Sequence, residues 1–264
     1  MGRGLKKLCR EVAKLAGEIE KDLRTRQPET ASQAAGLYMF AKGCKSFQAS
    51  RLLFSEGFWQ DAASIGRTLL ELGFQARWLN QNPERAGRLF LRHELRDRLK
   101  LLRGLKSSAS PEIRIKAVAF LEKLNSGSDF DRSWRNWWSK ESNVEKLAKE
   151  MDLSPTYDLL YRPLCWFVHS SPFANAYYLR EKGEHIVFDC RPDRPSPKDS
   201  GFAEMLFSSA PIGFLDVLAA VDTVFVLGRQ SEFDRVGVIL KNYHQELSEM
   251  TENRRKASHR AATI

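Results

Sequence analysis

The segment Ser154–Pro172, SPTYDLLYRPLCWFVHSSP, is mostly apolar but contains one arginine and one histidine that could do chemistry. Six residues separate Arg162 from His169. A helix turns through about 700° over that step, about 20° short of two full turns, so we expect both on one helix face. Burying either group unsatisfied is costly, and imidazole titrates near neutral pH. Either the pair is functional, or Arg162 bonds local carbonyls and His169 caps a helix C-terminus.

A second polar pair lies in an apolar helical stretch, where Arg67 and Glu71 are four residues apart. Such a pair contributes only a few tenths of a kcal/mol when exposed, roughly 0.2–0.5 kcal/mol. The neighbours Ala62, Ile65 and Leu69 favour at least partial burial, where an ion pair indicates a specific role more than stability. A structural ion pair and a catalytic one both remain open.

The elements that position these residues are predicted to be helices. We predict a mainly α fold, an irregular helical bundle forming a single domain over residues 1–254. A small β-hairpin is predicted as an insert at about 176–190, and a basic disordered tail at 255–264. The predicted helices are 3–26, Thr30–Phe54, Trp59–Leu79, Glu84–Lys106, one beginning at Ser110-Pro111, one from Ser142 to Met151, and a region from Phe202 to about Arg254 with a bend near Gly228 or Gly237.

Charge points to an anionic partner, because 42 Lys and Arg against 33 Asp and Glu give a net charge of +9. Nucleic acid is the first candidate and a membrane surface the second, although an ordinary basic surface also explains the excess. Four widely spaced cysteines without a CxxC pair indicate reduced thiols, and with no secretory signal we expect a cytoplasmic protein. We interpret the apolar run Ala210–Gly228 as a buried helix and expect no membrane association.

Other candidate groups carry less chemistry. The tryptophans Trp134, Trp137 and Trp138 lie beside Arg132, Arg135 and Lys140, a pattern that could stack bases or could pack a loop on the bundle. None of the five histidines has metal-ligand spacing with another His or Cys, and no phosphate-cradling Gly loop is present. We therefore expect no metal and no cofactor.

Two motifs carry a resemblance to known proteins. The stretch SRLLFSEGFWQDAASIGRTLLEL contains Arg-Thr-x-x-Glu and is followed, after a helical middle, by the late His169-Ser170. Over about residues 35–225 this order resembles a bacterial family of unknown function. The Arg-x6-His spacing is similar to the upper limit of the Arg-x4–6-His signature of the HEPN superfamily. Members of that superfamily are helical bundles; many are metal-independent ribonucleases of toxin and phage-defence systems, and others bind nucleic acid without cleaving it.

This resemblance implies roles for the four candidate catalytic residues. Arg162 would stabilise a phosphate and His169 would handle a proton as an RNA 2′-hydroxyl attacks, with Arg67 and Glu71 as supporting polar groups. It also implies RNA as the substrate, a homodimer that doubles the sparse site, and an antitoxin or defence partner protein. Pro163 departs from the pattern, since a polar residue commonly follows the arginine and proline disfavours helical geometry at Arg162. The alternative is a non-catalytic all-α interaction or small-ligand-binding module.

Overall fold

The structure is a computed structural model, and it describes residues 1–90, 93, 110–112, 115, 116, 143–169, 178–182, 185–188 and 200–261. Over these residues the chain is mainly helical, which confirms the mainly α character of the predicted fold. The numbered helices are α1 Arg3–Leu23, α2 Ala31–Ser55, α3 Trp59–Gln81, α4 Val144–Glu150, α5 Ser154–Thr156, α6 Arg162–Val168, α7 Ser200–Phe207, α8 Ser209–Phe225 and α9 Gln230–Ala261, with a π-helical turn, Tyr157–Tyr161, between α5 and α6.

Helices α2, α3 and α8 pack against one another and form the centre of the core. Aromatic side chains fill the contacts of α2: the Phe47 ring lies 5.1 Å from the Phe214 ring of α8, and the Phe54 ring lies 4.2 Å from the Phe207 ring at the end of α7. Helix α1 buries its apolar stripe completely and lies along α9 and α8. Helix α3 packs against α2 and α8 in the core, and it also contacts α6.

Local sequence explains where α2 begins and where the final helical region breaks. Thr30 caps α2 by accepting a hydrogen bond from the Gln33 backbone N–H, and the Gln33 side chain completes a capping box. The predicted bend near Gly228 is confirmed, because α8 ends at Phe225 and Gly228 adopts φ +74° before α9 begins. Gly237 lies inside α9 without a break. A further break, at Ser208, separates α7 from α8 and was not predicted.

The segment 154–168 is helical throughout, but the helix is wider in its middle. The Arg162 backbone N–H donates to the Tyr157 carbonyl five residues back, which closes the π-helical turn. Arg162 has helical angles of φ −62° and ψ −47°. The expectation that Pro163 would keep Arg162 out of helical geometry is therefore wrong. In a regular α-helix the ring of a proline clashes with the carbonyl group four residues before it. The wider π-helical turn directly before Pro163 leaves space for the ring.

Two short strands lie within the range predicted as an insert. β1 (Leu179–Lys182) pairs antiparallel with β2 (His185–Phe188), with Leu179 opposite Phe188 and Lys182 opposite His185. They form a two-stranded sheet beside an otherwise helical structure.

The C-terminal helix is longer than the sequence pattern indicated. Helix α9 continues to Ala261, whereas we expected a disordered basic tail from residue 255. Residues 255–261 are rich in Lys, Arg and Ala, which are good intrinsic helix formers, so the helix extends there without an apolar period. Two predictions lie outside the described residues. One is the part of the Glu84–Lys106 helix after residue 90, apart from residue 93, and the other is the tryptophan cluster at 134–138.

One described helical stretch, Ser200–Phe225, is long and apolar enough to cross a membrane by length and composition. Within its most apolar window, 67% of the residues are buried inside the protein. That burial is compatible with the core helix of a soluble protein, as the sequence pattern predicts.

Candidate functional site

Helix α3 brings Arg67 and Glu71 together, and α6 covers them. The Arg67 guanidinium lies 3.9 Å from the Glu71 carboxylate, a long ion pair between side chains that are 21% and 27% exposed. The predicted pairing and its partial burial are therefore confirmed. Across the helix contact, Arg67 Nε donates to Cys165 Sγ at 3.3 Å, and Tyr161 OH donates to Glu71 Oε2 at 3.3 Å. The pair thus holds α6 and the π-helical turn on α3.

Electrostatics fixes the protonation state of two members of this cluster, Arg67 and Tyr161. Burial is the largest influence on Arg67 and lowers its pKa, but the hydrogen bond to Cys165 and the neighbours Tyr161 and Glu71 together raise the pKa above its ordinary value. Burial, and next the Glu71 carboxylate, raise the pKa of Tyr161. Arg67 stays charged and Tyr161 stays a neutral donor at physiological pH. Neither is poised to exchange a proton, so we assign this cluster a positioning role.

Arg162 lies on the solvent side of the same segment. Its guanidinium is 3.2 Å from the Asp158 carboxylate, and both side chains are more than half exposed, at 57% and 60%. Its Cζ also lies 5.5 Å from the centre of the Tyr157 ring. An exposed ion pair of this kind contributes only about 0.2–1 kcal/mol. Arg162 can therefore exchange Asp158 for a phosphate at little cost, because a guanidinium forms charge-assisted hydrogen bonds with carboxylate and phosphate oxygens alike.

A continuous chain of ring contacts links the two arginines. Arg67 Cζ lies 4.8 Å from the centre of the Tyr161 ring, Tyr161 stacks on Tyr157 with centroids 5.1 Å apart, and Tyr157 contacts Arg162. Each arginine–ring contact adds cation–π attraction of about 0.5–1 kcal/mol when exposed. The structure thereby joins three of the predicted site residues, Arg67, Glu71 and Arg162, through two tyrosines. We call the residues Arg67, Tyr161, Tyr157 and Arg162 the arginine–tyrosine stack.

His169 is not part of the stack. It follows the last residue of α6, its side chain is exposed, and its backbone N–H donates to the Cys165 carbonyl at 3.0 Å. The Arg162 guanidinium reaches back toward Asp158 and Tyr157, whereas His169 lies two turns ahead, about 10 Å along the axis. Within the described residues no hydrogen bond or ion pair joins the two. One chain therefore leaves both groups open to solvent and does not bring them together.

Three contributing residues were missed as site residues by the sequence reasoning: Tyr157, Tyr161 and Cys165. Tyr157 and Tyr161 are four apart, as are Tyr161 and Cys165, so a helical segment places all three on one stripe. The sequence pattern indicates an apolar stripe and does not indicate the polar contacts that Tyr161 and Cys165 make. A half-buried Arg67–Glu71 pair needs hydrogen-bond partners, and this requirement indicates the Tyr161 hydroxyl and the Cys165 thiol as candidates.

Comparison with known proteins gives one match. The model of a family described as a family of unknown function (DUF5677) matches residues 33–186, more than half of the chain. The chain belongs to DUF5677. The matched range of this DUF5677 protein contains the arginine–tyrosine stack, Glu71 and His169. A search of curated proteins and a search of solved structures each found no match.

Proposed function

We propose that this DUF5677 protein is a HEPN-like cytoplasmic protein of a bacterial defence or toxin module that binds RNA and cleaves it without a metal. Arg162 would hold a phosphate, His169 would transfer a proton, and Arg67 with Glu71 would position Arg162 through the two tyrosines. The observation that carries the proposal is the arginine–tyrosine stack, with Arg162 exposed at its end. Arginine beside an aromatic ring is a combination that binds phosphate and base together.

Catalysis under this proposal needs two copies of the chain. Phosphoryl transfer depends on positioning and charge stabilisation, and Arg162 points away from His169 in a single chain. A two-fold dimer supplies a second guanidinium and a second imidazole, and it buries the same patch twice. Leu159, which is 66% exposed, lies next to Asp158 and offers apolar contact area. A protein partner such as an antitoxin would cover the same surface.

One observation favours a second candidate function, a non-catalytic all-α module that binds RNA or another partner. The Arg162 guanidinium already has a carboxylate and a ring as partners within its own segment. A residue held in this way is suited to recognition, and fold resemblance alone does not assign catalysis.

RNA binding and cleavage by single variants separate the two candidates. Wild type, Arg162→Ala and His169→Ala are incubated with labelled RNA in EDTA, and binding and cleavage are followed over time. The cleaving protein loses activity in both variants, by about 10²-fold or more for a general acid–base residue, while only Arg162→Ala weakens binding. A binding module shows no cleavage in any sample. Absence of both binding and cleavage by wild type rejects the proposal and the alternative RNA-binding module alike.

Matched controls are available in the same chain. Arg24, which caps the C-terminus of α1, is likewise an exposed arginine paired with a carboxylate four residues before it, that of Glu20, at 2.9 Å. His244 is an exposed histidine on α9. Arg24→Ala and His244→Ala are expected to behave as wild type in both assays. If Arg24→Ala loses as much binding or cleavage as Arg162→Ala, or His244→Ala as much as His169→Ala, the effect comes from charge or folding and not from the site.

A further inference from the structure

A cleft of about 800 Å³ lies away from the arginine–tyrosine stack, between the first turns of α1, the C-terminal half of α2 and the beginning of α7. Its volume is within the range of small-molecule sites, roughly 300–1,000 Å³. One part of the wall is apolar and includes Phe54 and Leu52, and Leu52 is a large side chain left 63% exposed. The other part carries Lys6, Arg51 and the Gln48 amide.

The two cations of this wall are not neutralised by their surroundings. Neither Lys6 nor Arg51 has a carboxylate within ion-pair distance in the part of the chain that the structure describes. The Arg51 guanidinium lies over the Phe47 ring, with its Cζ 5.7 Å from the ring centre. The carboxylate of the cleft, Glu204, accepts a hydrogen bond from the Gly2 backbone N–H and is engaged there. An anion placed between Lys6 and Arg51 would gain charge-assisted hydrogen bonds from both.

The thiol of the cleft does not provide a nucleophile. Burial raises the pKa of Cys9 to about 12, although the charge of Arg51 acts in the opposite direction. A neutral buried thiol behaves as a small apolar group. Cys9 therefore extends the apolar wall, and a ligand there would be held by non-covalent contacts.

We propose that this cleft binds a small organic anion, one that places a phosphate or carboxylate group between Lys6 and Arg51 and an apolar body against Leu52 and Phe54. The inference does not depend on RNA cleavage, because the cleft shares no residue with the arginine–tyrosine stack or His169. It adds a second site to the molecule, on another set of helices.

Calorimetric titration of the full chain with three probes tests the proposal. The probes are AMP, octanoate and inorganic phosphate. Saturable binding of AMP supports the site with a phosphate ligand, and saturable binding of octanoate supports it with a carboxylate ligand. Inorganic phosphate is expected to bind at least about tenfold more weakly than the better organic probe, since it cannot use the apolar wall. Equal binding of inorganic phosphate, or no binding of any probe, overturns the proposal.

Variants locate the binding. Lys6→Gln and Arg51→Gln are each expected to raise the Kd of the better probe about tenfold, since each removes one charged hydrogen bond. Lys7→Gln and Lys42→Gln remove the same charge from exposed positions on α1 and α2 that do not line the cleft, and they should leave the Kd within about twofold. Leu52→Asp places a negative charge at the exposed rim without disturbing the core, and it should also weaken binding. If the control lysines matter as much as Lys6 and Arg51, or Leu52→Asp has no effect, binding is elsewhere and the proposal is wrong.

Discussion

At the scale of single residues, the end of α8 contains a strained position. Val226 adopts φ 51° and ψ 56°, the left-handed conformation in which glycine is usual and a β-branched residue is a strong outlier. Two hydrogen bonds close the helix end around it: Val226 N–H to the Thr223 carbonyl at 3.2 Å and Leu227 N–H to the Asp222 carbonyl at 3.0 Å. The Leu227 bond holds the strain in place, because it would be lost if Val226 adopted an extended conformation.

We expect Val226→Gly to stabilise the protein by about 1 kcal/mol, because glycine avoids the steric cost and the Val226 side chain contributes little packing at 83% exposure. Thermal denaturation measures the effect, and the Tm should rise by about 2 °C for a chain of this size. The control is Val238→Gly on α9, at 60% exposure in a regular helix, where the same change should cost about 0.5 kcal/mol because glycine has the lower helix propensity. A loss of stability in both variants would show that Val226 is not strained.

Asp216 is a second residue with a measurable energetic consequence. Its carboxylate pairs with Arg77 at 2.9 Å between α8 and α3. Burial nevertheless dominates and raises the pKa of Asp216 from 3.8 to about 6, against the opposing effect of Arg77. The folded state thus binds this proton more tightly than the unfolded state. The contribution of this protonation to the free energy of unfolding is complete below about pH 4 and is lost as the pH rises to about 6.

The expected loss is at most about 3 kcal/mol over that interval, from the pKa difference. Asp216→Asn cannot ionise, so its free energy of unfolding should vary less between pH 4 and pH 6 and should equal or exceed that of wild type at pH 7.5. Urea denaturation at a series of pH values measures both. A variant that keeps the full pH slope of wild type would assign the slope to other groups.

At the scale of elements, the fold depends on a close crossing of α3 and α8. A Cβ on Gly213 would meet the Leu69 carbonyl oxygen and lie 2.6 Å from the Leu70 backbone nitrogen. A Cβ on Gly73 would lie 2.8 Å from the Gly213 carbonyl oxygen. The two helix backbones therefore touch where both have no side chain, and the neighbours there are backbone atoms that cannot turn aside.

We expect Gly213→Ala to destabilise the protein by about 1–3 kcal/mol, the usual cost of overpacking. The matched control is Gly17→Ala on α1, where a Cβ would meet nothing within 4 Å. That change should be neutral or stabilise by up to about 1 kcal/mol through the lower entropy of the unfolded chain. Chemical denaturation of both variants measures the difference. If Gly213→Ala and Gly17→Ala are equally stable, α3 and α8 can move apart without a cost in free energy, which contradicts the prediction.

Elements with strong local patterns could be predicted from the sequence, and elements set by tertiary contacts could not. The stripe from Leu5 to Leu23 predicted α1, and every residue of that stripe is buried. The π-helical turn could not be predicted, because it depends on how Tyr161 meets Arg67 across the helix contact and on the room that Pro163 requires. For the site, spacing predicted the Arg67–Glu71 pair within one helix. The direction of the Arg162 side chain depends on Asp158 and Tyr157, and the Arg-x6-His spacing carries no information about it.

At the scale of the whole molecule, the excess of positive charge predicts how RNA binding responds to salt. With a net charge of +9, binding through phosphates should weaken as the salt concentration rises, because the release of counterions from the RNA becomes less favourable. The log–log slope should be about −0.7 per phosphate contact on a single strand. Arg162→Ala should reduce that slope by about one contact, while Arg24→Ala leaves it unchanged. Affinities measured between low and moderate salt test this, and a flat response would rule out binding through phosphates.

The central claim is that Arg162 and His169 act together across two copies of the chain. The most direct measurement mixes Arg162→Ala and His169→Ala chains after each has been shown to be inactive on RNA by itself. Because a mixed dimer retains one intact guanidinium and one intact imidazole, we predict that the mixture recovers part of the wild-type cleavage rate, and that light scattering shows a dimer at micromolar concentration. A strictly monomeric wild type, or a mixture as inactive as its components beside an active wild type, would contradict the claim.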